Sequence, residues 1–221
     1  MLEKFNNAVW RTAELGAFFN RVGVLLNVVN AIDKKAYEYL IKAANLDDVA
    51  NLFEVGFGRG YLAEKILKAN SNIASYIATE ASAENVRSST ARLAAYPSFQ
   101  CEFVDGSLPY RFPNNHFDVV VSCYVLDCMH DHRCQQEIEE LRRILRPNGR
   151  LYLLSVTKGE TPISIAVSSF WSLLYSISPW LTGGSRVVSL ASKFESGWKE
   201  IRSNTVDCYG FASELAMARK V

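Results

Sequence analysis

The sequence contains no Cys-x-x-Cys pair, no internal repeat, no low-complexity tract and no linker rich in proline, glycine or serine. Its five cysteines, Cys101, Cys123, Cys128, Cys134 and Cys208, are odd in number, which speaks against a disulfide framework and for a reducing compartment. Neither sign of charge is in surplus, since 24 Lys and Arg face 23 Asp and Glu. A nucleic-acid surface needs many uncompensated cations, so no nucleic-acid partner is expected. Long apolar runs are missing too: Val22–Val29 is too short to span a bilayer and carries no Ala-x-Ala cleavage site. A cytoplasmic protein is expected, with contact to a membrane surface left open.

What the chain does have is an alternation of short apolar runs and longer helical periods, in a length of 221 residues that suits one large domain. Residues 1–20 place Phe5, Val9, Ala13, Phe18 and Phe19 at helical spacing, and 33–45 repeat the pattern behind Asp33 as an expected N-cap. Strands are expected at 49–56, 73–80, 98–105, 117–124 and 150–157, with helices at 60–69, 82–95 and 131–145 between them. The run FDVVVSCY (117–124) is apolar almost throughout, as a strand covered on both faces must be. Alternating β and α units of this length imply an α/β fold: an open, doubly wound, mostly parallel sheet. Such a sheet binds ligands beyond the carboxyl ends of its strands. Residues 198–203 and 209–220 read as two further strands, the second an antiparallel partner of the first. The expected organisation is one domain: a helical cap (1–45), a core (46–157), a helical insertion (158–197) and the final strands (198–221).

The sharpest motif is Glu54-Val55-Gly56-Phe57-Gly58-Arg59-Gly60, where the first strand hands over to the first core helix. Alternate glycines let the backbone bend tightly and approach a ligand without Cβ interference, and a helix N-terminus behind them favours an anion. A dinucleotide fingerprint would need glycine where Tyr61 stands, and no Gly-Lys-Ser/Thr follows for a P-loop. Glu80 ends the second strand, placed either to accept both hydroxyls of a ribose or to cap the helix beginning near Ser82. Asp105-Gly106 ends the third, as an acceptor for an adenine amino group or as a plain turn.

Taken together, EVGFGRG, ATEAS, FVDGSLPYRFPNNHFDVVVSCYVLDCMHD and LRRILRPNGRLYLLS resemble the class I S-adenosylmethionine-dependent methyltransferases. The similarity points to the small-molecule branch that includes ubiquinone/menaquinone-biosynthesis C-methyltransferases and phospholipid N-methyltransferases. It covers residues 49–157 strongly and the last strands loosely. The resemblance implies a seven-stranded sheet with an antiparallel final strand, S-adenosylmethionine as cofactor and S-adenosylhomocysteine as product. By position it implies that Gly56, Gly58 and Gly60 pass under the methionine part while Glu54 holds the ammonium group. Glu80 would take the ribose hydroxyls, with Ala81 against the adenine. Asp105 would bind the adenine amino group beside Gly106 and Ser107, and Cys123 and Tyr124 would flank the sulfonium. Two positions depart from the pattern: Phe57 is bulkier than the usual occupant, and Cys128 stands where many relatives carry histidine.

The sulfonium makes the methyl group reactive, so alignment of the acceptor carries most of the task. A base is needed only where the attacking atom holds a proton, and the candidates after the fourth strand are Tyr124, Asp127 and His130. The plain alternative is that Asp131 caps the next helix while His130 and His132 are solvated. Cys128, His130, His132 and Cys134 crowd alternate positions across a helix start, a poor arrangement for a tetrahedral zinc site, so no metal is expected. From Pro162 to Ser185 there is no charged residue. Ser164, Ser168, Ser172 and Ser176 recur at every fourth position, with Ile165, Phe170, Trp171, Leu174, Tyr175, Ile177 and Trp180 around them. This stretch is expected to be a helix packed on the sheet with its serines allowing close approach, a lid whose Trp171, Tyr175 and Trp180 contact the acceptor, or a surface that dips into a membrane, though without the Lys/Arg face that anionic lipid favours. The expected partner is therefore a small, largely apolar or lipid-like acceptor. A cofactor-binding protein without catalysis is the alternative. Tyr61 argues against a nicotinamide enzyme, and Ser122-Cys123-Tyr124-Val125, in place of an Asn-Pro-Pro-Tyr element, against a nucleic-acid methyltransferase.

Overall fold

The computed structural model describes residues 23–221, so the helix expected over 1–20 lies outside the described residues. Helix α1 runs over Gly23–Ala44 without interruption. Asp33, expected as an N-cap, therefore lies inside α1: the stretch before it, GVLLNVVNAI, offers no proline or interior glycine to end a helix.

The alternation that follows is β1 (Asn51–Val55), α2 (Tyr61–Ala69), β2 (Ser75–Glu80), α3 (Ala83–Arg92), β3 (Phe99–Phe103), β4 (Phe117–Cys123), α4 (Asp131–Ile144) and β5 (Leu145–Val156). Helix α5 (Pro162–Ile177) and the strands β6 (Trp198–Cys208) and β7 (Phe211–Lys220) complete the order. The seven strands form one sheet in the order β3-β2-β1-β4-β5-β7-β6. The pairs from β3 to β5 are parallel, and β7 runs antiparallel to both β5 and β6. The chain direction of winding reverses between β1 and β4, which makes their carboxyl ends the switch point where such sheets hold ligands.

Local signals set the ends of the helices. Ser82 caps α3 by accepting the Asn85 N–H, and Thr161 and Ser164 form a reciprocal capping box with Pro162 at the first helical position of α5. The Pro147-Asn148-Gly149 turn expected before the fifth strand is drawn into β5 itself, with Asn148 in a left-handed conformation.

Side chains alternate between two apolar layers. Leu52, Tyr76, Ala78, Val119, Val121 and Tyr152 face the layer covered by α1, α2 and α3. Phe53, Val55, Val120, Leu151 and Leu153 face the other, covered by α4 and by Val188, Leu190 and Trp198. Every residue of β4 is buried, as its sequence requires. Phe117 breaks the alternation because the β4–β5 register shifts between Phe117 and Val119. That irregularity turns Asp118 inward, where Oδ2 accepts the N–H groups of Ala50 and Asn51 at 2.8 Å each and Oδ1 pairs with Arg146 at 2.7 Å. Asp118 thereby anchors the entrance of β1.

Replacing Asp118 by alanine should leave those two amides without a partner and lower stability by about 3 kcal/mol, with Asn retaining part of it. Thermal melting tests this: a fall of roughly 6–12 °C is expected for Asp118→Ala, and an unchanged midpoint would refute the anchoring role.

Candidate functional site

The first strand ends in a bend that only glycine can make freely. Gly56, Gly58 and Gly60 have φ of 67°, 56° and 75°, all left-handed. Gly56 and Phe57 donate N–H bonds to the Thr79 carbonyl at 2.8 and 3.3 Å, which ties the bend to β2. A Cβ at Gly56 would run into Val125, and one at Gly60 would meet Ser89 and Leu93. At Gly58 a Cβ would meet nothing within 4 Å. The middle glycine thus faces open ground while its neighbours are wedged between elements.

Glu80 closes the bend. Its Oε2 accepts the Gly58 N–H at 2.8 Å and its Oε1 accepts the Ser82 N–H at 2.9 Å, and burial raises its pKa. The cap of α3 is Ser82, so the capping role considered for Glu80 falls to its neighbour. Beneath the loop Glu54 is buried and accepts the Tyr76 hydroxyl at 2.6 Å. Loss of hydration pushes its carboxyl up to about 7, against the pull of the Tyr76 hydrogen bond. Tyr76, fully buried in β2, was not visible as a site residue from the sequence.

Beyond β3 the chain from Val104 to His116 has no helix or strand, and α4 holds it with charged side chains. Arg133 donates to the Gly106 carbonyl at 2.8 Å, and Glu137 accepts the Tyr110 hydroxyl. Glu140 accepts the Tyr110 N–H at 2.8 Å, while Arg143 donates to the carbonyls of Tyr110 and Phe112. Spaced 133, 137, 140 on one face, these residues are not singled out by the sequence, and Glu137 and Glu140 are buried against the loop. Asp105 is exposed and accepts the Ser107 N–H at 2.9 Å. A cleft of about 360 Å³ opens here, lined by Thr79, Phe103, Val104, Asp105, Ser107 and Tyr110 among others. The Thr79 hydroxyl is buried and has no hydrogen-bond partner.

At the end of β4, Cys123 is buried and Tyr124 adopts φ of 57°, a strained conformation for a bulky residue. The Tyr124 ring lies 6.2 Å from that of Tyr37 on α1, and its hydroxyl reaches Ser213 on β7 at 3.1 Å. Asp127 is enclosed: Ser185 donates to its Oδ2 at 2.6 Å and Ser155 to its Oδ1 at 3.4 Å. Burial raises its carboxyl to about 6. His130 is exposed at the N-cap of α4 and gives no side-chain cap. Asp131, expected as the cap, is the first helical residue and pairs with Arg186 and Lys193, which hold its carboxyl down at about 2. Among the described residues no group of three or more His, Cys, Asp or Glu comes together as metal ligands.

On α5, Trp171 donates to the Ser185 carbonyl at 3.0 Å and packs edge-on against Phe211 at 5.8 Å. Tyr175 is half-buried and Trp180 is exposed.

Residues 53–153 match the family described as a methyltransferase domain. A ubiquinone/menaquinone biosynthesis C-methyltransferase UbiE of Burkholderia vietnamiensis is 28% identical over 147 residues, covering 65% of this chain and 57% of that one. The reducing polyketide synthase grgA of a Penicillium species is 32% identical over 122 residues, 52% of this chain and 5% of its own. The fold of this chain is shared with solved structures. The N-methyltransferase NodS of Bradyrhizobium japonicum, in complex with S-adenosyl-L-homocysteine, superimposes with a TM-score of 0.65 at 14% identity, covering 86% of this chain and 87% of that one. The [4+2]-cyclase SpnF gives 0.64 at 19% identity, covering 84% and 80%. Residues 53–153 thus carry a methyltransferase domain. The chain spans a little over half the length of the UbiE relative and a small part of the synthase.

Within this methyltransferase domain the acid of the glycine motif is poised near neutrality, and that has a consequence for stability. Glu54 titrates near 4.5 when exposed and near 7 when folded, so between those values the folded state holds a proton that the unfolded chain has lost. The contribution is therefore present at low pH and fades as pH rises through the window. Glu54→Gln should remove a pH-dependent loss on the order of 3 kcal/mol. Urea unfolding at about pH 5 and pH 8 reads it: the wild type should lose more stability between the two than the variant, and parallel behaviour would count against a buried, proton-bearing Glu54.

Proposed function

We propose that the protein transfers the methyl group of S-adenosylmethionine to a small, largely apolar acceptor. The observation that carries the reading is the open ground at Gly58, where a left-handed main chain with no Cβ faces space at the switch point of the sheet. The residues present suit the cofactor. Glu54 lies beneath the loop as a counterpart for its ammonium group, and α2 presents its positive dipole end to the carboxylate. Glu80 stands at the end of β2 for the ribose hydroxyls, with Ala81 next to it for the adenine face. Asp105, with Gly106 and Ser107, offers an acceptor for the adenine amino group at the edge of the cleft, where the unpartnered Thr79 hydroxyl lies.

When bound, the cofactor supplies a methyl group already activated by its sulfonium. The task left to this chain is to align an acceptor and exclude water. Cys123 and Tyr124 close the site from the end of β4, and the strained φ of Tyr124 fixes its ring there. Trp171, Tyr175 and Trp180 are assigned to the acceptor side, which makes that side apolar. His130, exposed beside the site, is assigned as base where the acceptor atom carries a proton. Asp127, closed over by Ser155 and Ser185, fixes the chain at Ser185–Arg186 and reaches substrate only if that segment moves away.

Glu80→Ala should weaken S-adenosylhomocysteine binding about tenfold or more in calorimetry, because a charged acceptor and the clasp on Gly58 are both lost. Affinity unchanged from wild type would remove the proposed ribose contact. Formation of S-adenosylhomocysteine with a panel of apolar acceptors separates an enzyme from a chain that binds the cofactor without turnover.

A further inference from the structure

Helix α5 is inside out. Its buried positions are serines: Ser164 is fully buried and Ser168 nearly so, and Ser168 accepts the Gly159 N–H at 3.2 Å. Gly159 has no room for a Cβ against Ser164, so the serines permit a close approach that larger residues would block. The opposite side is apolar and exposed. Ile163, Ala166, Phe170, Leu173 and Ile177 follow one another at spacings of three and four, which places them on one face of a helix about 24 Å long. Ile163 is 69% exposed, Phe170 60% and Ile177 67%.

The row continues at both ends into aromatic residues. Past Ile177 the chain turns through Pro179–Thr182, where Trp180 and Leu181 are exposed. At the other end Ile163 abuts the β6–β7 turn, since a Cβ on Gly210 would lie 2.9 Å from its Cγ2, and the adjoining Tyr209 is 82% exposed. An exposed apolar row of this length marks a partner surface.

We infer that this face docks on the surface of a lipid bilayer. Charge selects the partner. Nothing from Pro162 to Ser185 carries a charge on any side of the helix. A helix-pairing seam carries flanking charges that set its register, and this helix has none. One flank is formed by the exposed Ser169, Ser172 and Ser176, whose hydroxyls can sink to headgroup depth without stripping water from an ion, and the other by the half-buried Val167, Trp171 and Leu174. No described helix is long and apolar enough to cross a membrane, so α5 lies in the plane of the interface. The charges nearest in the chain stand outside the row: Lys158 and Glu160 precede the helix cap, Arg186 is paired with Asp131, and at the β6–β7 turn Asp207 accepts the Gly210 N–H while Lys35 donates to the Asp207 carbonyl. Attachment therefore rests on apolar burial, not on anionic lipid. Because α5 follows the carboxyl end of β5, docking brings the ligand edge of the sheet to the membrane. Only the purpose of this, delivery of an apolar acceptor, rests on the proposed methyl transfer; the docking does not.

Flotation of the full chain with phosphatidylcholine vesicles, without cofactor or acceptor, tests the inference. The chain should float with these vesicles equally well at low and high salt, and adding phosphatidylglycerol should change little. Phe170→Glu and Ile177→Glu, both on the exposed face, should reduce partitioning roughly tenfold or more, while Phe170→Leu retains it. S-adenosylhomocysteine affinity and melting temperature should stay at wild-type values in all three. Failure of the wild type to float, flotation only on anionic vesicles and lost in salt, or glutamate variants that float normally would each overturn the inference. So would a dimer, seen by light scattering, that Phe170→Glu splits and that has no affinity for vesicles. A chain that floats but does not bind S-adenosylhomocysteine would instead refute the cofactor site and leave the docking standing.

Discussion

Left-handed main chain at Gly56, Gly58 and Gly60 can be kept only where the surroundings hold it, and here the strand behind and the acid beside it do so together. The Thr79 carbonyl takes two amides of the bend and the Glu80 carboxylate takes a third. Val125 occupies the space a side chain at Gly56 would need, and Ser89 and Leu93 occupy the space at Gly60. Those contacts leave the middle of the bend as the place where backbone meets open space. The position of α2, the burial of Glu54 beneath and the orientation of Tyr124 opposite all follow from that constraint.

A second feature recurs through the fold: acids in the interior stand in for secondary structure where the chain has none. Asp118 satisfies the amides at the entrance of β1, and Glu137 and Glu140 hold the loop after β3. Glu214 accepts the N–H groups of Leu190 and Ala191 and the hydroxyl of Ser203. A buried carboxylate is costly unless its oxygens are occupied, and each of these is. Asp118 acts at the amino end of β1, while the others position irregular segments by side-chain hydrogen bonds to main chain, which leaves the backbone there free to follow the shape of a site. Asp127 belongs to the same group, tying the segment after α5 to the end of β4 through Ser185.

Helix α5 departs from the usual division of apolar inside and polar outside. Its serines are used for close packing near Gly159 and its large side chains are turned outward. The exposed apolar row thus follows directly on β5, whose carboxyl end lies on the same edge of the sheet as the glycine bend. Trp171, packed on Phe211, ties α5 to β7.

Much of the architecture was settled by chain-local chemistry. Apolar runs such as that of β4, glycines at alternate positions, Ser82 before α3 and Pro162 after Thr161 are short-range signals, and they set the alternation of elements and the place of the ligand loop. Periodicity could not separate a helix interior from a start, so Asp33 looked like a cap when only the continuity of α1 decided otherwise. Nor could it say which face of a stripe meets solvent. The serines on α5 suit close approach, and Ser164 is buried against Gly159. On α4, however, nothing in the sequence separates the buried Glu137 and Glu140 from their exposed neighbours, because the loop that covers them comes from elsewhere in the chain. The sequence by itself determined the order of strands and helices and the bend between β1 and α2, because those depend on neighbours within a few residues. The tertiary structure alone decided the Tyr76–Glu54 bond, the enclosure of Asp127 and the outward turn of α5, because each requires groups far apart in the chain to exclude water together.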